Sequence, residues 1–364
     1  MTDDWPLDRL MSEVVGSGPR SASDMRYDQA REAMERILTG DPDPVALGGF
    51  WTANRWKRNT PVELAGFLDA MRTVSVETAE PDADPVDIGA NYDGKADTAP
   101  LGVASGVVAA AAGTPVAVHS ADRLPTTYGV TARHVLDELG VRTDLEPAES
   151  AAMVDAVGFG FYYAPRFNPG VHALSERRAA LGVRTFLNTI ETLANPAAAA
   201  VHVGSFFHRP FAEKVVATLR ESRTVDVDRV VMVQGQEGSD DVRAGTTRIA
   251  AWPDGQEGEN PDGADDDAVD VFEIETASFG VEAGAEVTGA DLAATAARVT
   301  RDVVSGARDG VVADAVALNA GVRIYARDDA STLSAAVERA RGAVADGSAA
   351  DVLTALQEFD PADW

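Results

Sequence analysis

The sequence predicts an α/β protein, with a small helical part at the N-terminus followed by a mostly parallel sheet covered by helices on both faces. Three observations predict it. The first 75 or so residues carry their apolar positions at helical spacing. Beyond Glu77–Asp84, short apolar runs bounded by Gly and Pro alternate with helical segments, the pattern of parallel strands joined by crossover helices. The chain has 364 residues, 45% hydrophobic and 25% charged, which is room for two cores and excludes disorder, collagen and coiled coil as overall descriptions.

The elements follow in order. Ser23 or Asp24 is placed to cap a helix with Ala30, Met34, Ile37 and Leu38 on one face. Asp41-Pro-Asp-Pro44 breaks it, and a second helix starts near Val45. Thr60-Pro-Val-Glu63 reads as a capping box opening a third helix that carries Leu64, Phe67, Leu68 and Met71. Strands are expected at Val86–Ile88, Pro115–Val118, Val157–Phe161, Ala200–Val203 and Arg229–Val233, with helices at Gly102–Ala112, Thr131–Leu139 and Phe211–Glu221 between them. Thr246–Trp252 and Val269–Thr276 read as further strands, separated by the Gly/Asp/Glu-rich loop Pro253–Asp267. The last 60 or so residues return to helix, with Leu333, Ala336, Val337, Ala340 and Val344 as an apolar stripe. No internal repeat is visible.

Composition narrows the chemistry. There are 0 cysteines, which excludes disulfides, iron–sulfur ligation and a thiol nucleophile. The histidines are His119, His134, His172, His202 and His208, and no H-E-x-x-H pair is among them. Net charge is −28, and of the basic residues only Lys57, Lys95 and Lys214 are lysine. Acidity with lysine depletion reads as adaptation to high salt, where a Debye length of about 3 Å at 1 M screens carboxylate repulsion. The uncharged stretch Thr98–Ala121 is interrupted by Pro115 and fits a helix plus a strand better than a membrane span. With no basic-then-apolar leader at Met1, the chain reads as soluble and cytoplasmic.

Ligands of open α/β sheets bind beyond the carboxyl ends of the strands, and four segments fall there. Asp87-Ile-Gly-Ala-Asn-Tyr-Asp-Gly-Lys95 offers close backbone approach at Gly89 and Gly94, and a carboxylate, Asp93, for a ribose hydroxyl; it also reads as a plain strand–turn–helix connection. His119, in Val118-His-Ser-Ala-Asp-Arg123, fits a donor to phosphate or carboxylate, or a structural hydrogen-bonder. Asp240 and Asp241, after the Gln234-Gly-Gln-Glu-Gly238 turn, fit Mg²⁺ held by carboxylates and substrate phosphates, or an ordinary turn of an acidic chain. Arg166, Arg177, Arg178 and Arg184 form a basic island suited to carboxylates or phosphates, or to salt bridges on a helix face.

In this order, the segments resemble the anthranilate phosphoribosyltransferase family of glycosyltransferases over nearly the whole chain from about residue 24. The motifs that carry the resemblance are Gly158-Phe-Gly-Phe-Tyr-Tyr-Ala-Pro165, Arg178-x-x-Leu-Gly-x-Arg-Thr185, Leu193-x-Asn-Pro196, and Leu318-Asn-Ala320 after Arg308-Asp-Gly310. The resemblance implies a helical domain of residues 1–78 plus a mid-chain helical insertion at about 166–190, packed on an α/β domain of 84–364, and a homodimer formed through the helical domains. It implies transfer of a pentosyl group from a phosphoribosyl diphosphate donor, with Mg²⁺, to an aromatic or amine acceptor. Gly89, Asp93, Gly94, Thr98 and His119 then match donor-binding positions, Arg178 the arginine that contacts the acceptor's carboxylate, and Asp240 and Asp241 the magnesium pair.

The chain departs from the family pattern at several positions. The glycine loop reads Gly89-Ala-Asn-Tyr-Asp-Gly94, with Tyr92 in place of a glycine. Pro100-Leu-Gly-Val103 replaces a phosphate-binding N-x-S-T, and Val118, Ser120 and Ala121 replace three positions of a K-H-G-N motif. Each charged hydrogen bond lost to the donor costs roughly 1.5–3 kcal/mol. The Asn-Tyr-Asp-Gly loop and Gly49-x-x-x-Ala-x-Arg55 are more similar to a divergent paralogous branch associated with nucleic-acid binding. The alternative function is therefore a non-catalytic paralogue that binds single-stranded nucleic acid along Arg166, Arg177, Arg178 and Arg184, with stacking on Tyr92, Phe167 or Tyr163, or that binds another small anionic ligand.

Overall fold

The computed structural model describes residues 5–16, 18, 20–89, 93–124, 127–242, 244–253, 269–282 and 285–364. The expected loop Pro253–Asp267 lies, apart from Pro253, outside the described residues, as does Tyr92.

The N-terminal part holds four helices, Leu7–Val15, Tyr27–Thr39, Pro44–Lys57 and Pro61–Val74. The first was not expected from the sequence, although Leu7, Leu10 and Val14 sit at helical spacing and are buried. The expected cap at Ser23 or Asp24 is displaced to Arg26, whose amide donates to Gln29 Oε1 (2.9 Å). Tertiary contacts hold the preceding residues out of the helix. Asp24 pairs with Lys57 (2.7 Å), and the Met25 amide donates to Glu63 (2.8 Å). The Thr60–Glu63 capping box forms as expected: the Glu63 amide donates to Thr60 Oγ1 (3.3 Å) and the Thr60 amide to Glu63 Oε2 (2.8 Å). Glu63 is fully buried and also takes Lys57 Nζ at 2.6 Å, so one carboxylate ties three segments together. Lys214 donates to the Asn59 carbonyl at 2.7 Å and holds the bundle to the helix Arg209–Glu221.

The mid-chain segment folds as short helices at Ala164–Phe167, Pro169–His172, Ser175–Leu181 and Leu187–Ile190. It joins the bundle through aromatic packing: Phe186 stacks on Phe67 with ring centroids 4.0 Å apart and meets Phe50 edge-on. Bundle, insertion and one face of the sheet share a continuous apolar core.

Among the described residues the sheet has seven strands: β1 (Val86–Ile88), β2 (Val116–Ser120), β3 (Phe159–Tyr163), β4 (Val201–Ser205), β5 (Arg229–Val233), β6 (Thr246–Trp252) and β7 (Asp270–Glu275). Their order is β3-β2-β1-β4-β5-β6-β7; the first five are parallel, and β6 and β7 run antiparallel at one edge. The buried strands β1, β2 and β5 are covered on both faces, as parallel strands must be. The second face carries the helices Gly102–Ala111, Ala132–Leu139, Leu292–Val304, Val311–Ala326, Leu333–Ala345 and Ser348–Glu358, with Ala336, Val337 and Ala340 of the expected stripe fully buried.

Strand order reverses between β1 and β4, which pair directly while their chains leave toward opposite edges. A ligand crevice belongs at that reversal, beyond the carboxyl ends of the two strands.

Candidate functional site

A cleft of about 130 Å³ opens at this reversal, lined by Gly89, Asp93, Arg184, Asn188, His202 and Ser239 among others. Gly89 leaves β1 under the carbonyl of Thr192. A Cβ there would lie 1.9 Å from that oxygen, so only glycine fits. Asp93 is buried, accepts from Asn188 Nδ2 at 3.1 Å, and is ion-paired with Arg184. Gly94 takes φ +81° and packs against the Gly129 backbone. The chain does not then run directly into a helix: Lys95 first exchanges backbone hydrogen bonds with Val130, and the helix starts only at Gly102.

Behind the cleft, three neighbouring strands bring together Asp87, His119 and His202. Asp87 lies fully buried, 2.7 Å from His202 Nδ1 and 3.3 Å from His119 Nε2. Burial alone would raise the Asp87 carboxyl; the two imidazoles outweigh it and hold the group well below the usual carboxylate range. His202 reaches the cleft, whereas His119 is buried in β2 beside a separate small cavity shared with Asp240 and Arg323.

Glu237 spans the other wall. It accepts from the successive backbone amides of Ala96 (3.0 Å), Asp97 (3.1 Å) and Thr98 (2.9 Å), and from Thr98 Oγ1 (2.5 Å). Three consecutive amides aimed at one point form an anion nest, and an internal carboxylate fills it. Burial pushes Glu237 up, but these donors and the nearby Lys95 outweigh it and leave its carboxyl below the ordinary value.

Asp240 and Asp241 each face a buried cation. Asp240 is ion-paired with Arg323, and Asp241 lies 2.6 Å from Lys95 Nζ and also accepts from the Leu101 amide at 3.2 Å. All four side chains are at most 3% exposed. Burial raises the Asp240 carboxyl, with Arg323 opposing and Asp241 adding to the rise. Among the described residues, no three His, Asp or Glu side chains gather to hold a metal ion. The pair therefore does not fit Mg²⁺, because a divalent ion would have to displace two buried ammonium or guanidinium partners already in place.

The arginine island is neutralised as well. Arg178 is buried and gives a two-pronged contact to Glu191, at 2.9 and 2.7 Å. Arg166 binds Asp144 and Glu146, Arg177 binds Asp41, and Arg184 binds Asp93.

Comparison with known proteins fits this architecture. The helical bundle domain of a Glycosyl transferase family matches residues 19–75, and that family's a/b domain matches residues 93–350. The chain belongs to this glycosyl transferase family. It is 32% identical over 347 residues to the anthranilate phosphoribosyltransferase of Thermomicrobium roseum, covering 91% of each chain. It is 31% identical over 343 residues to that of Natronomonas pharaonis, covering 93% of this chain and 96% of the relative. The crystal structure of anthranilate phosphoribosyltransferase from Thermus thermophilus superposes with a TM-score of 0.74 at 26% identity, over 92% of this chain and 95% of that one. The Saccharomyces cerevisiae enzyme in complex with PRPP and Mg shares the fold, with a TM-score of 0.77 at 18% identity over 96% of each chain.

Within this glycosyl transferase fold, Gly89, Asp93 and Gly94 line one cleft. Thr98 is turned onto Glu237, and Asp240 lines the same inner cavity as His119. Arg178 lies on a third cavity, beside Glu191. Sequence reasoning missed Asp87, His202, Glu191, Glu237 and Arg323. A signal existed for two of them: a carboxylate inside Val86-Asp-Ile88 and an imidazole inside Val201-His-Val203 are polar groups in buried strands, and such groups require partners.

No helix among the described residues is long and apolar enough to cross a membrane.

Proposed function

We propose that the chain is a phosphoribosyltransferase of the anthranilate phosphoribosyltransferase kind, taking a phosphoribosyl diphosphate donor in the β1/β4 cleft and an aromatic or amine acceptor beside it. The observation that carries the reading is the cleft at the strand-order reversal, where Gly89 leaves backbone bare and Asp93 is held by Arg184 and Asn188. An ionised carboxylate is an acceptor only, which suits a ribose hydroxyl. Arg184, half-exposed and paired with Asp93 through one guanidinium nitrogen, keeps further N–H donors on the same wall that suit a phosphate. In such a transfer the ribose C1–oxygen bond to diphosphate breaks as the acceptor nitrogen bonds to C1. The protein's part is to hold the two partners in line and balance charge. Mg²⁺ is named for the yeast structure; in this chain Asp240 and Asp241 are already paired with Arg323 and Lys95 and offer it no seat.

The test is calorimetric titration with phosphoribosyl diphosphate in molar KCl, with and without Mg²⁺, on wild type and Asp93→Asn. Saturable heat in wild type, lost in the variant, is the expected result; no heat at millimolar donor would remove the reading. A homodimer through the helical domain is supported by Val45 and Trp56, 82% and 80% exposed on the helix Pro44–Lys57. Light scattering on wild type and Trp56→Asp checks it, and a wild-type monomer rejects it. Nothing favours the nucleic-acid alternative: Arg166, Arg177 and Arg178 are engaged by carboxylates, and Arg184 lines the donor cleft instead.

A further inference from the structure

Glu191 and Thr192 are consecutive residues of one helical turn, yet they line different cavities: Thr192 lines the donor cleft, and Glu191 a second cavity with Arg178, His172, Asn168 and Ala164. One turn therefore contributes a side to each cavity, and a group bound at Glu191 is one residue along the chain from the wall of the cleft. The second cavity has about 10 Å³ of free space, room for about one water molecule. What fills it is the Arg178–Glu191 pair. A guanidinium fork meets both oxygens of a carboxylate in parallel, the geometry by which arginine recognises a free carboxylate ligand. Both side chains are buried, and burying an ion pair brings little or no stability over an apolar pair of similar volume. Burial pushes the Glu191 carboxyl up, with Asp93 adding to the rise, while Arg178 and His119 oppose it.

We infer that Glu191 is a specificity-determining residue: it occupies the carboxylate seat of Arg178 from within the chain, so the acceptor of this enzyme is an amine that carries no carboxylate. The inference rests on the transferase reading and on the resemblance that matches Arg178 to the acceptor's carboxylate; the buried, two-pronged pair itself stands on the geometry. An incoming anthranilate would have to expel Glu191 from a buried ion pair and leave a second carboxylate in the same dry pocket. An uncharged or cationic amine meets no such opposition, and Glu191 can accept a hydrogen bond from it.

The experiment needs no donor. Anthranilate, which is fluorescent, is titrated in molar KCl against wild type, Glu191→Ala and the double variant Glu191→Ala/Arg178→Met. The expected result is no saturable binding to wild type, a gain of about tenfold or more in Glu191→Ala, the size one charge-assisted hydrogen bond carries, and loss of the gain in the double variant. Because Glu191→Ala strands a buried cation, its thermal midpoint is measured with acetate against chloride at equal ionic strength. Acetate is expected to raise the midpoint of the variant and leave wild type unchanged. Anthranilate binding to wild type as tightly as to Glu191→Ala overturns the inference. Absence of binding to both, or a variant indifferent to acetate, overturns it equally. Failure of the transferase reading itself would show separately, in the donor titration.

Discussion

Replacing Lys95 by methionine removes the ammonium group and keeps most of the side-chain length. Asp241 would then sit at 1% exposure, with the Leu101 backbone amide still donating to its carboxylate. The Lys95–Asp241 distance is 2.6 Å and neither group meets solvent, so mobile ions do not screen the pair. Breaking a buried pair from one side costs about 3–5 kcal/mol. Asp241→Asn alone should cost a similar amount, because it strands Lys95. The double variant should cost well under the sum of the two, since replacing both partners leaves no orphan charge. Urea midpoints of wild type, both single variants and the double variant, taken in low and in molar KCl, give the coupling energy and its salt dependence. A coupling of about 2 kcal/mol or more, unchanged by salt, is expected for a dry contact. Additive single costs, or a coupling that vanishes in molar KCl, would refute the claim that Lys95 and Asp241 form a dry, mutually dependent ion pair.

Three further outcomes follow from the same geometry. Asp87 has a depressed folded pKa, so its contribution to stability is fully present above the unfolded carboxylate value and is lost as pH falls through the lower folded value. The stability gap between wild type and Asp87→Asn should therefore be widest near neutral pH and narrow below about pH 4, as read by denaturant midpoints across that range. Glu63→Ala should cost about 3–5 kcal/mol, because it takes one of the two carboxylate partners of Lys57, leaving Asp24, and removes the buried acceptor of the Met25 and Thr60 amides; urea unfolding measures it. Gly89→Ala forces the Thr192 carbonyl to move, so donor binding should fall by more than about tenfold with secondary structure retained, checked by calorimetry and circular dichroism.

Much of the fold was legible because it is written in local patterns. β5 and β6 fall on the residues expected, since a run such as Arg229-Val-Val-Met-Val233 has one plausible use in an α/β chain. The Thr60–Glu63 start was readable because its hydrogen bonds close within three residues. The Asp24 cap was misread because the side chain that competes for it, Lys57, lies 33 residues away. The same separation in sequence hid the state of the site. Asp240 and Asp241 look like metal ligands until Arg323 and Lys95 arrive from 83 and 146 residues away. Arg178 looks available until Glu191 is folded onto it, and the amides of Ala96–Thr98 look open until Glu237 is seen among them. Residue types in sequence order name the parts of a polar network, but only the fold says which opposite charge each part faces.

The lysines of this chain are its scarcest cations, and the structure uses all three indoors. Lys57 and Lys95 have side chains 6% and 1% exposed, and Lys214 is half-buried against the Asn59 carbonyl. The native exterior therefore presents guanidinium groups and carboxylates with almost no side-chain amine, so reagents that acylate amines would find few targets until the fold opens. Acylation of Lys57 and Lys95 becomes a clock for that opening, one that can be run in dilute and in molar salt alike.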